Sequence, residues 1–360
     1  MILAIKYSLT LLLLVAANSL FAGINEANNA FNNGFYTDAY KEYRKLADQG
    51  NSEAQFRLGA MYFEGKGLPQ NYKKAVTWFR SAAERGNVRA WSKLGSAYLH
   101  GHGVKQDNSA AILWFRKAAA AGDTEAEYNL AKMYYEGEGT QQDYREAIKW
   151  FRPAAAKGSA DAQFGLGYAC YQGKGVDKDY ILAMMWSTQA AFQGHVDAMK
   201  LIARMHYYGE GTPQDYSTAF KWYKKAADID DASAQNYLGE FYRDGLGVPR
   251  DYSNAMKYFR KAAAHGNAEA QLNIGLLYLS GLGVTANDSE AVKWIKKSAA
   301  QELPLAQYAL GLAYAGGLGV PYDYKRADFL LRKAEEQGVA DAAMQRKILS
   351  RSKNSRGRQK

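Results

Sequence analysis

Ala54, Ala90, Ala126, Ala162, Ala198, Ala234, Ala270, Ala306 and Ala342 stand 36 residues apart, with no insertion or deletion between them. The same interval separates glycine pairs, from Gly65 and Gly67 to Gly317 and Gly319. It also separates Trp78, Trp114, Trp150, Trp186, Trp222 and Trp294, with Tyr258 filling the one gap in that column. A period of this length means a solenoid, in which each unit buries its apolar face only against its neighbours. Function is then to be sought on a surface.

Within the unit 52–87, Ala54, Leu58, Gly59, Met61 and Tyr62 recur at intervals of three and four, and so do Ala75, Trp78, Phe79, Ala82 and Ala83. Both patterns predict a helix with one packed face. Gly65 and Gly67 end the first helix, because glycine accepts the left-handed conformation of a helix C-terminus. Asn71, Asp107, Asp143, Asp179, Asp215, Asp251, Asn287 and Asp323 precede each second helix as N-caps. Gly86 and its equivalents close that helix. Small residues let the two helices approach, and the tryptophans are expected to fill the space between hairpins, so that truncating Trp150 removes about 3–5 kcal/mol.

The ends carry different signals. Met1 to Lys6, the apolar run Leu9 to Ala17 and a small-residue boundary at Ala22 and Gly23 have the layout of a cleaved secretory signal over residues 1–22. Nothing after it is apolar for long enough to span a bilayer. Cys170 is the sole cysteine, so no intramolecular disulfide supports the fold in an oxidising compartment. The formal charge of +10 suits nucleic acid, an anionic membrane or acidic partners, and export makes nucleic acid the poorest of these. Residues 23–51 read as an N-terminal capping half-repeat, 52–342 as eight repeats and 343–360 as a basic, partly disordered tail.

The run Ala54-Gln55-Phe56-Arg57-Leu58-Gly59-Ala60-Met61-Tyr62, together with Asp251-Tyr252 and Ala255-Met256-Lys257-Tyr258, resembles the Sel1-like repeat family. The resemblance implies an all-α, right-handed α-solenoid akin to tetratricopeptide arrays, with first helices on the concave side. It also implies a scaffold or adaptor that binds other proteins, and in exported bacterial members a part in envelope processes, signalling or host interaction.

Columns that stay constant across repeats serve the fold, whereas columns that vary are free to serve a partner. The varying face of the first helices carries Phe56 and Phe63; then Tyr128, Lys132 and Tyr135; then Phe164, Tyr168 and Tyr171; then Lys200, Arg204 and Tyr207; then Arg243. Tyrosine and arginine are frequent carriers of interface energy, and this face is the candidate groove for an extended peptide or a helix. Its structural alternative is packing between neighbouring first helices. Arg80, Arg116, Arg152, Lys224, Arg260, Lys296 and Arg332 form a basic column on the second helices, with Lys117, Lys225, Lys261, Lys297 and Lys333 beside it. Those cations suit helix C-termini and solubility, or contact with an anionic lipid surface.

Chemistry is poorly supported. The glycine pairs follow helices rather than strands and lack the lysine of a phosphate loop. His100 and His102 have no third ligand partner, so neither metal nor cofactor is expected. Cys170 and His206 replace tyrosine one unit apart, too far for an activated thiolate–imidazole pair. Ser350-Arg351-Ser352-Lys353 repeats a serine-x-x-lysine string without its companion motifs. Local irregularities are expected at Pro153 inside a helix, at Asp230 and Glu302 in place of the closing glycine, and at Ala131 and Ala203 in place of the packing glycine. The sequence thus reads as an exported, non-enzymatic binder of a protein or peptide. The alternatives are a cell-wall-associated enzyme or regulator, and a membrane-surface adaptor.

Overall fold

A computed structural model describes residues 23–357, and all regular structure among them is helical. Each repeat contributes two helices of thirteen residues, such as Ser52–Glu64 with Tyr72–Glu84 and Val88–His100 with Asn108–Ala120. The chain divides into two compact units, one ending at Trp186 and the other beginning at Ser187. Within each, the first and second helices of a repeat pack as a hairpin, and the second helix packs on the next first helix. This is the all-α class of tandem helix hairpins that the period implies. The signal-like segment 1–22 lies outside the described residues.

All eight second-helix caps are formed as expected: Asp107 accepts from the Ala110 amide at 2.9 Å and Asp323 from the Arg326 amide at 3.0 Å. A second cap column went unread. Asn51, Asn87, Asp123, Ser159, Asp231 and Asn267 cap the first helices, and in repeat 5 His195 does so through Nδ1, 3.2 Å from the Ala198 amide. The glutamine after the alanine column has a related task. Gln55 and Gln163 donate to the Ala47 and Ala155 carbonyls at 3.1 and 3.2 Å, and Trp91 donates to Ala83 at 2.9 Å. Each is a second donor to a carbonyl in the last turn of the preceding helix, which also accepts from the amide of the closing glycine, Gly50, Gly158 or Gly86.

Two close approaches set the spacing. Within a hairpin, a Cβ added to Gly95 would lie 2.6 Å from the Phe115 ring, and one on Gly275 would lie 2.5 Å from Ile295. Between hairpins, the second glycine of each loop touches the start of the preceding repeat's second helix: a Cβ on Gly139 or Gly283 would sit 2.6 Å from Asn108 or Tyr252. Real Cβ atoms do not come this near, so the loop glycines are packing residues as well as helix ends.

Several expectations are corrected. The tryptophans are only partly buried, and Phe79, Phe115, Phe151 and Phe259, one position later, are the buried rings at 0–3% exposure. Trp78, Trp114 and Trp294 still pack against the clusters between neighbouring hairpins, and the column also supports cations: Lys225 lies 3.9 Å from the Trp222 centroid, Lys297 4.2 Å from Trp294 and Lys117 5.8 Å from Trp114. Asp230 and Glu302 keep the glycine backbone, with φ of 68° and 62°, and their junctions differ in side-chain contacts alone: Asp230 accepts from Gln235 at 2.8 Å and Glu302 faces Lys333 at 3.4 Å. Pro153 leaves its helix Tyr144–Ala156 at full length, because it lies in the last turn. Residues 23–32 are helical and pack Ile24 and Ala27 on Ala39, Tyr43 and Leu46, forming a hairpin where half of one was expected. The basic tail is not a loose arm, since a helix runs through Ala340–Gly357 with Leu349 buried.

Two outcomes are expected in chemical denaturation. Phe115→Ala loses about 3–5 kcal/mol and Trp114→Ala clearly less, because only the former empties a closed site. Glu302→Gly gains about 1 kcal/mol by relieving a left-handed non-glycine residue.

Candidate functional site: the first-helix face

The residues proposed for the groove separate into three groups. Tyr128, Lys132, Tyr135, Phe164 and Tyr168 come together around a cavity of about 220 Å³ in the first unit. Arg204, Tyr207 and Arg243 line another of about 350 Å³ in the second unit. Phe56, Phe63, Tyr171 and Lys200 line neither. Phe56 and Tyr171 are buried, Phe56 beside Phe79 at a centroid distance of 5.8 Å and Tyr171 beside Tyr180 at 5.5 Å. Phe63 packs edge-on against Tyr72 at 5.0 Å and also meets His102 at 5.6 Å. Lys200 is held between Asp197 and Asp231 at 2.9 and 3.0 Å. The three rings thus pack against second helices rather than between first helices, and Lys200 is held by ion pairs.

These two cavities fall in the repeats that carry Ala131 and Ala203 in place of the packing glycine. In repeats with glycine at this position, the buried ring of the second helix sits over that glycine, as Phe115 does over Gly95 and Phe259 over Gly239. In the repeat with Ala131, Phe151 lies against Gly165 of the next first helix, where an added Cβ would be 2.7 Å from the ring. With Ala203 in place, Tyr223 stacks on Tyr237 at 4.5 Å and 22°. Phe151 and Gly165 line the first cavity, and Tyr223 and Tyr237 the second. These four residues were missed in the sequence. The alanine substitutions were the signal that pointed to them.

In the first cavity, Phe164 and Tyr168 stack at 5.7 Å, and Tyr135 donates to Gln172 at 2.9 Å. Burial pushes the Tyr128 and Tyr135 hydroxyls up to about 12, so both remain neutral donors and acceptors at physiological pH. Lys132 and Glu136 are exposed at the rim.

The second cavity is more polar. Arg243 forms a double bond pair to Asp244 at 2.8 and 2.7 Å and donates to Asn273 at 2.9 Å. Asn236 donates to Glu240 at 3.0 Å, and Asn273 donates to Asn236 at 3.1 Å. Arg204 lies over Tyr208 at 5.7 Å and is exposed. Burial pushes the Glu240 carboxyl above the ordinary glutamate range, against the lowering pull of Arg243, Asn236 and Asn273. A third cavity, about 540 Å³ and lined by Leu276, Leu305, Leu312 and Tyr308, continues the variation in apolar form.

Other candidates have structural tasks. Arg80 donates to the Tyr98 hydroxyl of the next repeat at 2.8 Å, Arg260 to Tyr278 at 3.1 Å, and Arg116 to Tyr134. Three arginines of the basic column thus join successive repeats. His102 stacks on Tyr72 at 4.7 Å, in a column where Lys66 and Lys174 also cover aromatic rings. Burial raises the Cys170 thiol and lowers the His206 imidazole, shifts opposite to those of an activated pair. No group of three or more metal-ligating side chains gathers among the described residues, and none of their helices is long and apolar enough to cross a membrane.

Tandem hairpins of thirteen-residue helices, glycine loops that touch the preceding hairpin and a variable first-helix face define a helical repeat protein. The Sel1 repeat model matches residues 52–87, 92–123, 124–159, 160–195, 196–231, 232–267, 268–303 and 304–339, and the chain belongs to that family, whose members generally mediate protein–protein interaction. Among solved structures it is similar to a protective antigen of uropathogenic Escherichia coli with an SLR fold, at 35% identity and a TM-score of 0.75. That match covers 85% of this chain and 66% of the antigen. The chain therefore spans just under two thirds of that relative's length. It is also similar to a Sel1 repeat protein of Oxalobacter formigenes, at 32% identity and a TM-score of 0.65, covering 86% of this chain and 89% of the other. No curated protein matches the chain.

Because the folded protein holds the Glu240 proton more tightly than the unfolded chain does, stability present at low pH is lost as pH rises from the ordinary glutamate value, about 4.3, through the raised one. Glu240→Gln is expected to flatten that part of the profile in thermal melts taken from mildly acidic to neutral pH.

Proposed function

We propose that the chain is an exported adaptor without enzymatic activity, which holds a protein or peptide partner against the first-helix face. The observation that carries this reading is the pair of aromatic-lined cavities at Ala131 and Ala203. At both places alanine stands for the packing glycine, and partly exposed tyrosines (Tyr128 and Tyr168, Tyr207 and Tyr208) lie beside the exposed cations Lys132 and Arg204. Partly exposed aromatic and arginine side chains around small cavities are suited to anchor residues of a partner. The polar second cavity and the leucine-lined third provide different chemistry for different parts of one partner. Export rests on the signal-like layout of residues 1–22, and a bacterial setting on the bacterial relatives.

The test compares the mature chain with a variant carrying Tyr128→Ala, Tyr168→Ala and Arg204→Glu, matched by circular dichroism and thermal melting. Both are used to capture partners from envelope and secreted fractions, with cross-linking to map the contact. A discrete protein held by the wild type, cross-linked to the first-helix face and lost from the variant, is the expected result. Equal capture by both, or turnover of a wall fragment, would refute the reading.

A further inference from the structure

The arginine–tyrosine bond that joins successive repeats cannot form where Cys170 stands in the tyrosine column. Arg80 meets Tyr98 and Arg116 meets Tyr134, but the residue in register for Arg152 is Cys170. The cysteine is 4% exposed and has neither the ring nor the hydroxyl. Around Arg80 and Tyr98 there is a cavity of about 360 Å³; around Arg152 and Cys170 it is about 950 Å³. The larger cavity is bounded by Leu166 below and Trp186 at the side, with Arg145 and Lys178 also in its lining. Neither Arg145 nor Arg152 has a hydrogen bond or an ion pair among the described residues.

The flanking helix departs from its counterparts in the same direction. Tyr180–Phe192 contains no charged residue, and Ile181, Leu182 and Met185 are 74%, 42% and 42% exposed. In repeat 6 the corresponding residues are Ser253, Asn254 and Lys257, and in repeat 3 they are Arg145, Glu146 and Lys149. An apolar stripe therefore borders a cavity that has lost a tyrosine. Of the charges in the lining, Arg145, Arg152 and Lys178 outnumber Asp177 and Asp179. Asp179 is already engaged with the Ile181 and Leu182 amides at 2.8 and 2.9 Å.

We propose that this cavity, separate from the first-helix face, is a docking site for a partner peptide segment that presents a tyrosine flanked by an acidic residue and by apolar ones. The incoming ring takes the space of the missing one, and its hydroxyl accepts from Arg152 as Tyr98 accepts from Arg80. The acidic neighbour pairs with Arg145, and the apolar residues lie on Leu182 and Met185. A free anion or a lipid headgroup would use the guanidinium groups but not the apolar stripe, which is why a peptide is the occupant.

The test titrates acetyl-Leu-Glu-Tyr-Leu-Leu-amide into the full mature chain by isothermal calorimetry. Saturable binding is expected. It should weaken by about tenfold or more in Cys170→Tyr, which fills the cavity from within, and in Arg152→Gln, which keeps the cavity but removes the charged donor. The same loss is expected when the peptide's tyrosine is alanine or its glutamate is lysine, and no loss is expected in the first-helix variant Tyr128→Ala with Tyr168→Ala and Arg204→Glu. Cys170→Tyr should also melt at higher temperature than the wild type, and adding Arg152→Gln should cancel that gain. Absence of saturable binding, binding unchanged in Cys170→Tyr and Arg152→Gln, or binding lost in the first-helix variant would each overturn the proposal. Because the peptide assay and the partner capture use different surfaces, either reading can fail alone.

Discussion

Everything in this fold rests on how closely its helices can be brought together. Glycine and alanine at the helix contacts allow a ring of the second helix to rest on the backbone of the first, and the loop glycines allow each hairpin to touch the one before it. A side chain at any of these points must move something. The regularity of the period follows, since an insertion in one repeat would take its glycines out of register with their neighbours. Stability is then shared among short-range contacts, and the chain has one cysteine and no disulfide to assist it.

The same constraint produces the sites. Beside Ala131 and Ala203, which take the place of the packing glycine, the ring of the second helix meets the next first helix and a cavity lies on the first-helix face. Where the tyrosine that receives an arginine becomes cysteine, another cavity opens around the second helices. In both cases one small change in a constant column removes a contact that the other repeats keep. A repeat protein can acquire binding surfaces in this way without altering its backbone, because each hairpin depends only on its neighbours.

Charge in this chain is mostly structural. Arg80, Arg116 and Arg260 of the basic column are tied to tyrosine hydroxyls of the next repeat, and Lys225 and Lys297 beside it cover tryptophan faces. A net charge of +10 therefore says less about partners than its size suggests. The buried Glu240 network shows the opposite case, a carboxyl kept near Arg243 and two asparagines where most equivalent residues are apolar or small.

By itself the sequence determined the helix pairs, their caps, their glycine ends and the family, because each follows from local periodicity and from residue types that only a turn or a cap requires. It also showed which columns vary and marked Ala131, Ala203 and Cys170 as departures. Only the tertiary structure decided what those departures do. Whether Phe56 or Tyr128 faces a cavity, or whether Trp114 or Phe115 is the buried ring, depends on the rotation of one helix against another. Periodicity places residues on a face to within about one position, and one position separates the buried ring from the exposed one. The cavities arise between repeats, from side chains some 30 residues apart such as Tyr128 and Phe164, and no pattern within a single unit contains them.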